Sequence, residues 1–323
     1  MNQLSLWQFI QKRLSGGQHV LLLTVAASSG SSPGRPGFKM ATDATGALHG
    51  SIGGGIMEVK LVELAREMLQ KDDVKPFYKR QIHRADAPSE RSGMICSGEQ
   101  TVVFTPLKKE ELVTIRRLIR CMNKQSPAVL RLDDSGMELL EEKSNAGTGP
   151  VIHFKRLPGP GFVFEEYIGH KNRLYIIGGG HCALALSELM SKMDFHISLF
   201  DDRPGLDTLK KNRFAHNIQI IDNYDNIGGF IPGSENDYVV VMTLGYRSDE
   251  TVIRRLAGKS FKYLGVLGSA AKMQTVVENL RRNGISEEFL NRIHTPAGLP
   301  IKSRTPEEIA VSIAAEIIAI KNG

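Results

Sequence analysis

The spacing of apolar residues changes part-way along this chain. Near the start, Trp7, Ile10 and Leu14 recur at helical spacing. Residues 20–27, VLLLTVAA, are an apolar run of strand length broken only by Thr24 and read as a buried strand. Residues 38–52, FKMATDATGALHGSI, read as a strand, a turn at Asp43–Gly46 and a second strand. In MEVKLVELAREMLQ, Leu61, Leu64, Ala65 and Met68 fall at i, i+3, i+4 and i+7, which predicts a helix. EQTVVFTPL (99–107) and PAVLRLDD (127–134) predict strands around a helix at 109–124. Strands and helices without strict alternation predict an α+β domain.

Residues 143–170 are a stretch of loops, with a Pro/Gly corner at RLPGPGFVF and two short strand candidates. The domain boundary is placed near Ile168–Lys171, giving domains 1–168 and 169–323. Beyond it, strands and helices alternate. RLYII, HISLF, NIQII, DYVVVMT and KYLGVLG are apolar strands, and HCALALSELMSKM is a helix between the first two. The last helix begins with an N-cap at Thr305, Pro306 at N1 and Glu308 closing a capping box. The expected fold class is therefore α/β: a C-terminal Rossmann-like, doubly wound parallel sheet preceded by a smaller α+β domain.

Composition narrows the function classes. No apolar run approaches the ~18 residues of a membrane helix, and the N-terminus lacks the order of a signal peptide, so a cytoplasmic protein is expected. Its three cysteines, Cys96, Cys121 and Cys182, form no CxxC pair, so neither a disulfide framework nor a metal site is expected. The net charge of +6 is spread over scattered pairs such as Lys210-Lys211 and Arg254-Arg255. Solvated helix faces account for such pairs better than nucleic acid does, and an anionic small molecule or an acidic protein partner stays open as an alternative.

Two glycine-rich loops carry the candidate chemistry. Gly178, Gly180 and Ala183 fit G-x-G-x-x-G/A between a strand and a helix. That context places backbone N–H groups and a helix dipole near an anion. Asp201 and Asp202 end the next strand, about 20 residues on, where a carboxylate meets a ribose hydroxyl. Arg203 could meet a phosphate. NAD(P) and a phosphate-bearing pterin both fit; a tight turn that binds nothing is the plain alternative. The other loop, Gly53, Gly54 and Gly55, also precedes a helix. Glu58 in its first turn either complements the dipole or accepts hydrogen bonds from a heterocycle.

GSSPGRPGFKM with GSIGGGIMEVK resembles the N-terminal signature of the XdhC/CoxI family. IIGGGHCALAL, DDRPG, MTLGYRSDE, YLGVLGSAAK and RIHTPAGLPIKSRTPEEIAVSIAAEII resemble its second half. The matches run in order over most of the chain and thin out over about 100–165. The resemblance implies an accessory protein of xanthine dehydrogenase and related molybdenum hydroxylases. Such a protein binds the molybdenum cofactor (molybdopterin), holds it while a cysteine desulfurase supplies sulfur, and inserts it into the client enzyme. It implies a chaperone more than an enzyme, although members are loosely labelled xanthine dehydrogenases. A homodimer is expected.

On this resemblance Gly178, Gly180 and His181 lie near the cofactor phosphate, with Thr243, Gly268 and Ser269 among the binding positions. Cys96, in MICSG, is the candidate for the metal end, its alternative being a small buried hydrophobe. Three positions depart from the family pattern: Ile56 stands where many members have cysteine, Tyr246 where histidine is expected, and Ala270 where arginine is expected. The competing function is an NAD(P)-dependent oxidoreductase acting on a purine or aldehyde. Its acid–base candidates, by residue type alone, are His49, His83, Lys39 and Arg35. A third possibility is an interaction module whose glycine loops are purely structural.

Overall fold

The chain divides into two units, Met1–His170 and Lys171–Gly323. The computed structural model describes residues 3–71, 73–83, 98–124, 126–141, 152–169, 172–193 and 195–323.

In the first unit, α1 (Gln3–Ser15) is followed by β1 (Val20–Ser29), β2 (Lys39–Asp43), β3 (Leu48–Gly50) and α2 (Gly55–Leu69). Then come β4 (Phe77–Ile82), β5 (Glu99–Leu107), a 3₁₀ turn at Lys109–Glu111 and α3 (Leu112–Lys124). The last elements are β6 (Ala128–Asp133), β7 (Gly136–Glu141), β8 (Ile152–Arg156) and β9 (Phe162–Ile168). An antiparallel sheet runs β3-β2-β1-β5-β4, and a second runs β7-β6-β9-β8. β1 is apolar over most of its first eight residues because both of its faces are covered. Val20, Leu22 and Ala26 join a core with α1, α3, β6 and β9. Leu21, Leu23 and Val25 join another with Met57, Leu61, Val62 and Ala65 of α2. The Asp43–Gly46 turn forms as expected: Asp43 accepts from Thr45 N at 2.9 Å and Ala47 N at 3.1 Å.

The second unit is the expected α/β domain. Its order is β10 (Asn172–Ile177), α4 (His181–Ser191), β11 (Phe195–Asp201), α5 (Asp207–Lys211), β12 (Asn217–Ile220), a 3₁₀ turn at Tyr224–Asn226 and α6 (Ile227–Phe230). β13 (Ser234–Val241), α7 (Tyr246–Leu256), β14 (Phe261–Val266), α8 (Ala270–Arg282), α9 (Glu287–Leu290), β15 (Ile293–His294) and α10 (Pro306–Asn322) complete it. The sheet runs β12-β11-β10-β13-β14-β15, all parallel, with an apolar core on each face. This is the doubly wound order whose direction reverses between β10 and β13. The crevice outside the strand carboxyl ends at that reversal is where such sheets bind ligands. At α10 the capping box is present: Glu308 N donates to Thr305 Oγ1, and Thr305 N to Glu308 Oε2, both at 3.2 Å. Among the described residues, no helix is long and apolar enough to cross a membrane.

Candidate functional site

The glycines after β10 divide their work. Gly178 has φ +106°, and a Cβ there would lie 2.3 Å from the Met242 carbonyl oxygen. Its bareness serves the close passage of β13. Gly180 begins α4 with φ −72°, and a Cβ on it would meet nothing within 4 Å. The space in front of this helix is open. α7 begins in the same way at Gly245, and neither helix has a side-chain cap. By contrast, Ser269 caps α8 by accepting from Lys272 N, and Thr305 caps α10. The two helices beside the strand-order reversal thus start on uncapped glycines, which suits an anion.

Asp201 is placed at the end of β11 but is committed inward. It is fully buried. Its Oδ1 accepts from Arg203 N at 2.8 Å and Nε at 2.9 Å; its Oδ2 accepts from Gly179 N at 2.5 Å and Arg203 Nη2 at 2.7 Å. A carboxylate has about four acceptor positions, and all are used. Burial pushes the Asp201 carboxyl up, but the hydrogen bonds from Arg203 and Gly179 outweigh it and hold it below the ordinary range. Asp201 is therefore not free to accept a ribose hydroxyl, as its spacing had suggested, and Arg203 is tied to it. Asp202 is more exposed and accepts from Tyr224 Oη at 3.3 Å. Burial, with the two neighbouring aspartates, raises the Tyr224 hydroxyl pKa and keeps it a donor.

A second buried carboxylate braces the other side. Asp249, in the first turn of α7, is fully buried. Its Oδ1 accepts from Thr243 N at 3.1 Å and Thr243 Oγ1 at 2.6 Å, and its Oδ2 pairs with Lys272 Nζ at 2.8 Å. Thr243 thus shapes the loop between β13 and α7, and Gly268 and Ser269 shape the start of α8. His181 is exposed at the start of α4 and lines a cavity of 310 Å³ between α4 and α10, with Leu184, Glu188, Glu307 and Val311.

In the first unit the glycine loop is folded around its own anion. Gly53, Gly54 and Gly55 have φ of +129°, +73° and +71°, so the path requires glycine. Glu58 Oε2 accepts from Ser51 Oγ at 2.6 Å and from the N–H groups of Ile52 and Gly54 at 2.9 Å each. Gly53 N donates to Ser51 Oγ at 3.1 Å. The expectation of free N–H groups awaiting an anionic ligand is corrected here for Ile52, Gly53 and Gly54: the chain's own carboxylate and a serine satisfy them. Gln100, fully buried on β5, ties this loop to the preceding one. Its Oε1 accepts from Ser32 Oγ at 3.0 Å and Gly34 N at 3.2 Å, and its Nε2 donates to Ile52 O at 3.1 Å.

Residues 174–317 match the model of the XdhC Rossmann domain, and residues 14–75 match that of the XdhC and CoxI family. The chain belongs to the XdhC/CoxI family. YqeB of Escherichia coli (strain K12), an uncharacterised protein, is 24% identical over 302 residues, 92% of this chain but 43% of YqeB. The chain thus spans less than half of that relative's length. A probable xanthine dehydrogenase subunit of Bacillus subtilis (strain 168) is 24% identical over 322 residues, covering 94% of each chain. A crystal structure of a xanthine dehydrogenase from Bacillus halodurans has the same fold, with a TM-score of 0.74 at 23% identity over 100% of this chain and 96% of that one.

The departures from the XdhC/CoxI pattern lie on the surface. Ile56 is exposed on the first turn of α2, and Ala270 is exposed at the start of α8. Near Ala270, Lys272 supplies a cation, already paired with Asp249. Tyr246 is exposed at the start of α7, with the Arg247 guanidinium 5.9 Å from its ring centre. Cys96 lies outside the described residues. Cys121 and Cys182 are half-buried free thiols, and burial pushes the Cys182 thiol pKa up, away from a reactive thiolate.

The acid–base candidates of the first unit are largely engaged in structure. Lys39 is buried in an ion pair with Glu166. His49 bonds Ser5 at 3.0 Å and stacks on Phe9, and His83 is buried, which lowers its pKa. Arg35 is exposed. Sequence inspection gave no role to Gln100, Lys272 or Asp249. Asp249 carries a signal in its spacing from Thr243; Gln100 carries none, because its partners lie 48 to 68 residues away.

Proposed function

We propose that this chain is an accessory protein of a xanthine dehydrogenase-type molybdenum hydroxylase. It takes the molybdenum cofactor as cargo by its phosphate, holds it through sulfuration by a cysteine desulfurase, and delivers it to the client in the cytoplasm. The phosphate lies at the carboxyl edge of the six-stranded sheet, before Gly180, His181 and Gly245, with Thr243, Gly268 and Ser269 framing it. Gly53–Gly55 and Glu58 form a preorganised loop of the first unit, a second candidate binding position, for this or a different ligand, at exposed Gly55. The chain acts as a homodimer, and Cys96 is its candidate at the metal end. The name of the Bacillus subtilis relative supports the class of client.

One observation carries the reading. The helices beside the strand-order reversal are open to a phosphate, whereas Asp201, the buried one of the two carboxylates at the end of β11, is saturated by Arg203 and Gly179 and leaves only Asp202 for a ribose diol. A pterin phosphate needs only the first feature; NAD uses both. The test is anaerobic titration of the full chain with molybdenum cofactor, NAD(H) and NADP(H). The expected result is binding of the cofactor alone, weakened at least about tenfold by Gly180→Leu without loss of folding. Tight NAD(P)H binding with no cofactor binding would overturn it in favour of an oxidoreductase acting on a purine or aldehyde.

A further inference from the structure

Like charges four residues apart on a helix repel and destabilise it, so exposed helix faces usually mix the two signs. The longer helices here mostly do so: α2, α4, α7, α8 and α10 each carry at least one carboxylate. α1 has none, but its Arg13 pairs with Asp43. α3 is different. It reads LVTIRRLIRCMNK, with Arg116, Arg117, Arg120 and Lys124 and no carboxylate. Burial fixes its inner face: Leu112, Ile115 and Leu118 enter the core shared with α1 and β1, and Ile119 and Met122 pack against that core. The outer face follows from the 3.6-residue turn. Val113, Arg116, Arg120 and Lys124 fall in one stripe, and all four are exposed. The three cations step along it at about 6 Å and span about 12 Å. Among the described residues, none of Arg116, Arg120 and Lys124 makes a hydrogen bond, ion pair or ring contact. The helix dipole favours Lys124 in the last turn, but Arg116 lies two turns earlier, beyond its reach.

We infer that this stripe is a docking surface for a protein partner with an acidic face, whose carboxylates meet Arg116 and Arg120 with Lys124 at the rim. The inference goes beyond the cargo reading and does not depend on which ligand the second unit holds. Charge complementarity selects an anionic partner, and the residue types choose among such partners. α3 has no aromatic residue, so unpaired bases would find nothing to stack on. Val113, 67% exposed, is the single large apolar residue exposed on α3, too little to insert into a lipid surface. A span of three cations is also short for a duplex, whose binders commonly neutralise about six to ten phosphates. Arg116 and Arg120 offer planar forks that hold carboxylates through two hydrogen bonds each. A partner helix with a glutamate every four residues repeats the same step of about 6 Å.

The experiment is fluorescence anisotropy on the full chain with four labelled probes: a helical peptide with a glutamate every fourth residue, its glutamine counterpart, a single-stranded RNA of equal charge, and phosphatidylserine vesicles. Each is measured at about 50 mM and about 200 mM salt. Trp7 lies in the core that α3 helps to close, so its fluorescence reports that each variant is folded. The wild type should bind the glutamate peptide more tightly than the glutamine one, and less tightly at the higher salt. Arg116→Gln/Arg120→Gln should weaken this binding by about tenfold. Arg254→Gln/Arg282→Gln removes the same charge from exposed positions on α7 and α8 and should change it by less than about twofold. Arg116→Lys/Arg120→Lys keeps the charge and should stay within about threefold of the wild type. A wild type that ignores the glutamate peptide, or an equal loss in the two glutamine pairs, overturns the inference. Tighter binding of the RNA or the vesicles, lost with Arg116 and Arg120, overturns the protein partner in favour of that class. Either failure leaves the cofactor titration untouched.

Discussion

Gln100→Leu removes one buried amide and leaves its partners in place. The side chain is fully buried and joins two loops that no local pairing connects: Ser32 and Gly34 on one side, Ile52 on the other. In the leucine variant the Gly34 N–H and Ile52 C=O lose their partner inside a closed contact. A Cβ on Gly34 would lie 2.3 Å from Ile52 O, so the loops leave little room for replacement water. Each orphaned buried group costs about 1–3 kcal/mol, and the Ser32 hydroxyl can turn elsewhere. The expected loss is about 2–4 kcal/mol, or about 1–2 M in urea midpoint for a slope near 2 kcal/mol/M. The chain's single tryptophan, Trp7, is fully buried in the first unit, so its fluorescence follows this unit through urea unfolding. A wild-type midpoint for Gln100→Leu would refute the clamp.

Three further outcomes follow from the same geometry. Gly178→Ala should lose more than about 2 kcal/mol by thermal unfolding, against less than about 1 kcal/mol for Gly180→Ala; equal losses would contradict the assigned division of work. Glu58→Ala should lose about 1–2 kcal/mol, and millimolar phosphate should stabilise its first unit, followed by Trp7 fluorescence, more than that of the wild type; an equal phosphate effect in the two would show that the vacated N–H groups do not bind anions. Asp201→Asn should lose about 2 kcal/mol at pH 7 by chemical unfolding. The native Asp201 pKa lies below its unfolded value, so its contribution is complete above about pH 4 and fades as pH falls through the native pKa; an identical gap from wild type at pH 3 and pH 7 would contradict this.

What could be read from the sequence was the part governed by local period. The helix at 57–70 follows the 3.6 period of one buried face, and the run at 20–27 and the strands after 171 are nearly continuous apolar segments because both of their faces are covered. β4 and β7 escaped notice. β4 sits at a sheet edge, where Lys79 and Arg80 interrupt the apolar pattern, and β7 puts Leu139 and Leu140 side by side, which breaks its alternation. The glycine loops were visible as strings, but their roles were not, because a string records that Cβ is absent and not what approaches instead. At Gly178 the approaching group is a neighbouring strand, at Gly180 there is open space, and at Gly54 the backbone dihedral alone demands glycine.

The two glycine loops solve one electrostatic problem in opposite ways. Each opens a helix longer than ten residues and gathers N–H groups that favour negative charge. At α2 a glutamate three residues into the helix closes the site from within. At α4 the aspartate that could do so is one strand away and takes only Gly179 N, leaving the front of Gly180 open. The difference lies in which N–H the carboxylate reaches. Glu58 folds back over the loop preceding its own helix, so it competes with any incoming anion. Asp201 reaches the loop from beneath and orients it, so it leaves the outer face to a ligand. Arg203 neutralises Asp201 at 2.7 Å, which limits the repulsion that a buried carboxylate would exert on a phosphate at the same loop. Removing Arg203 should therefore weaken anion binding at Gly180 without any direct contact between the two.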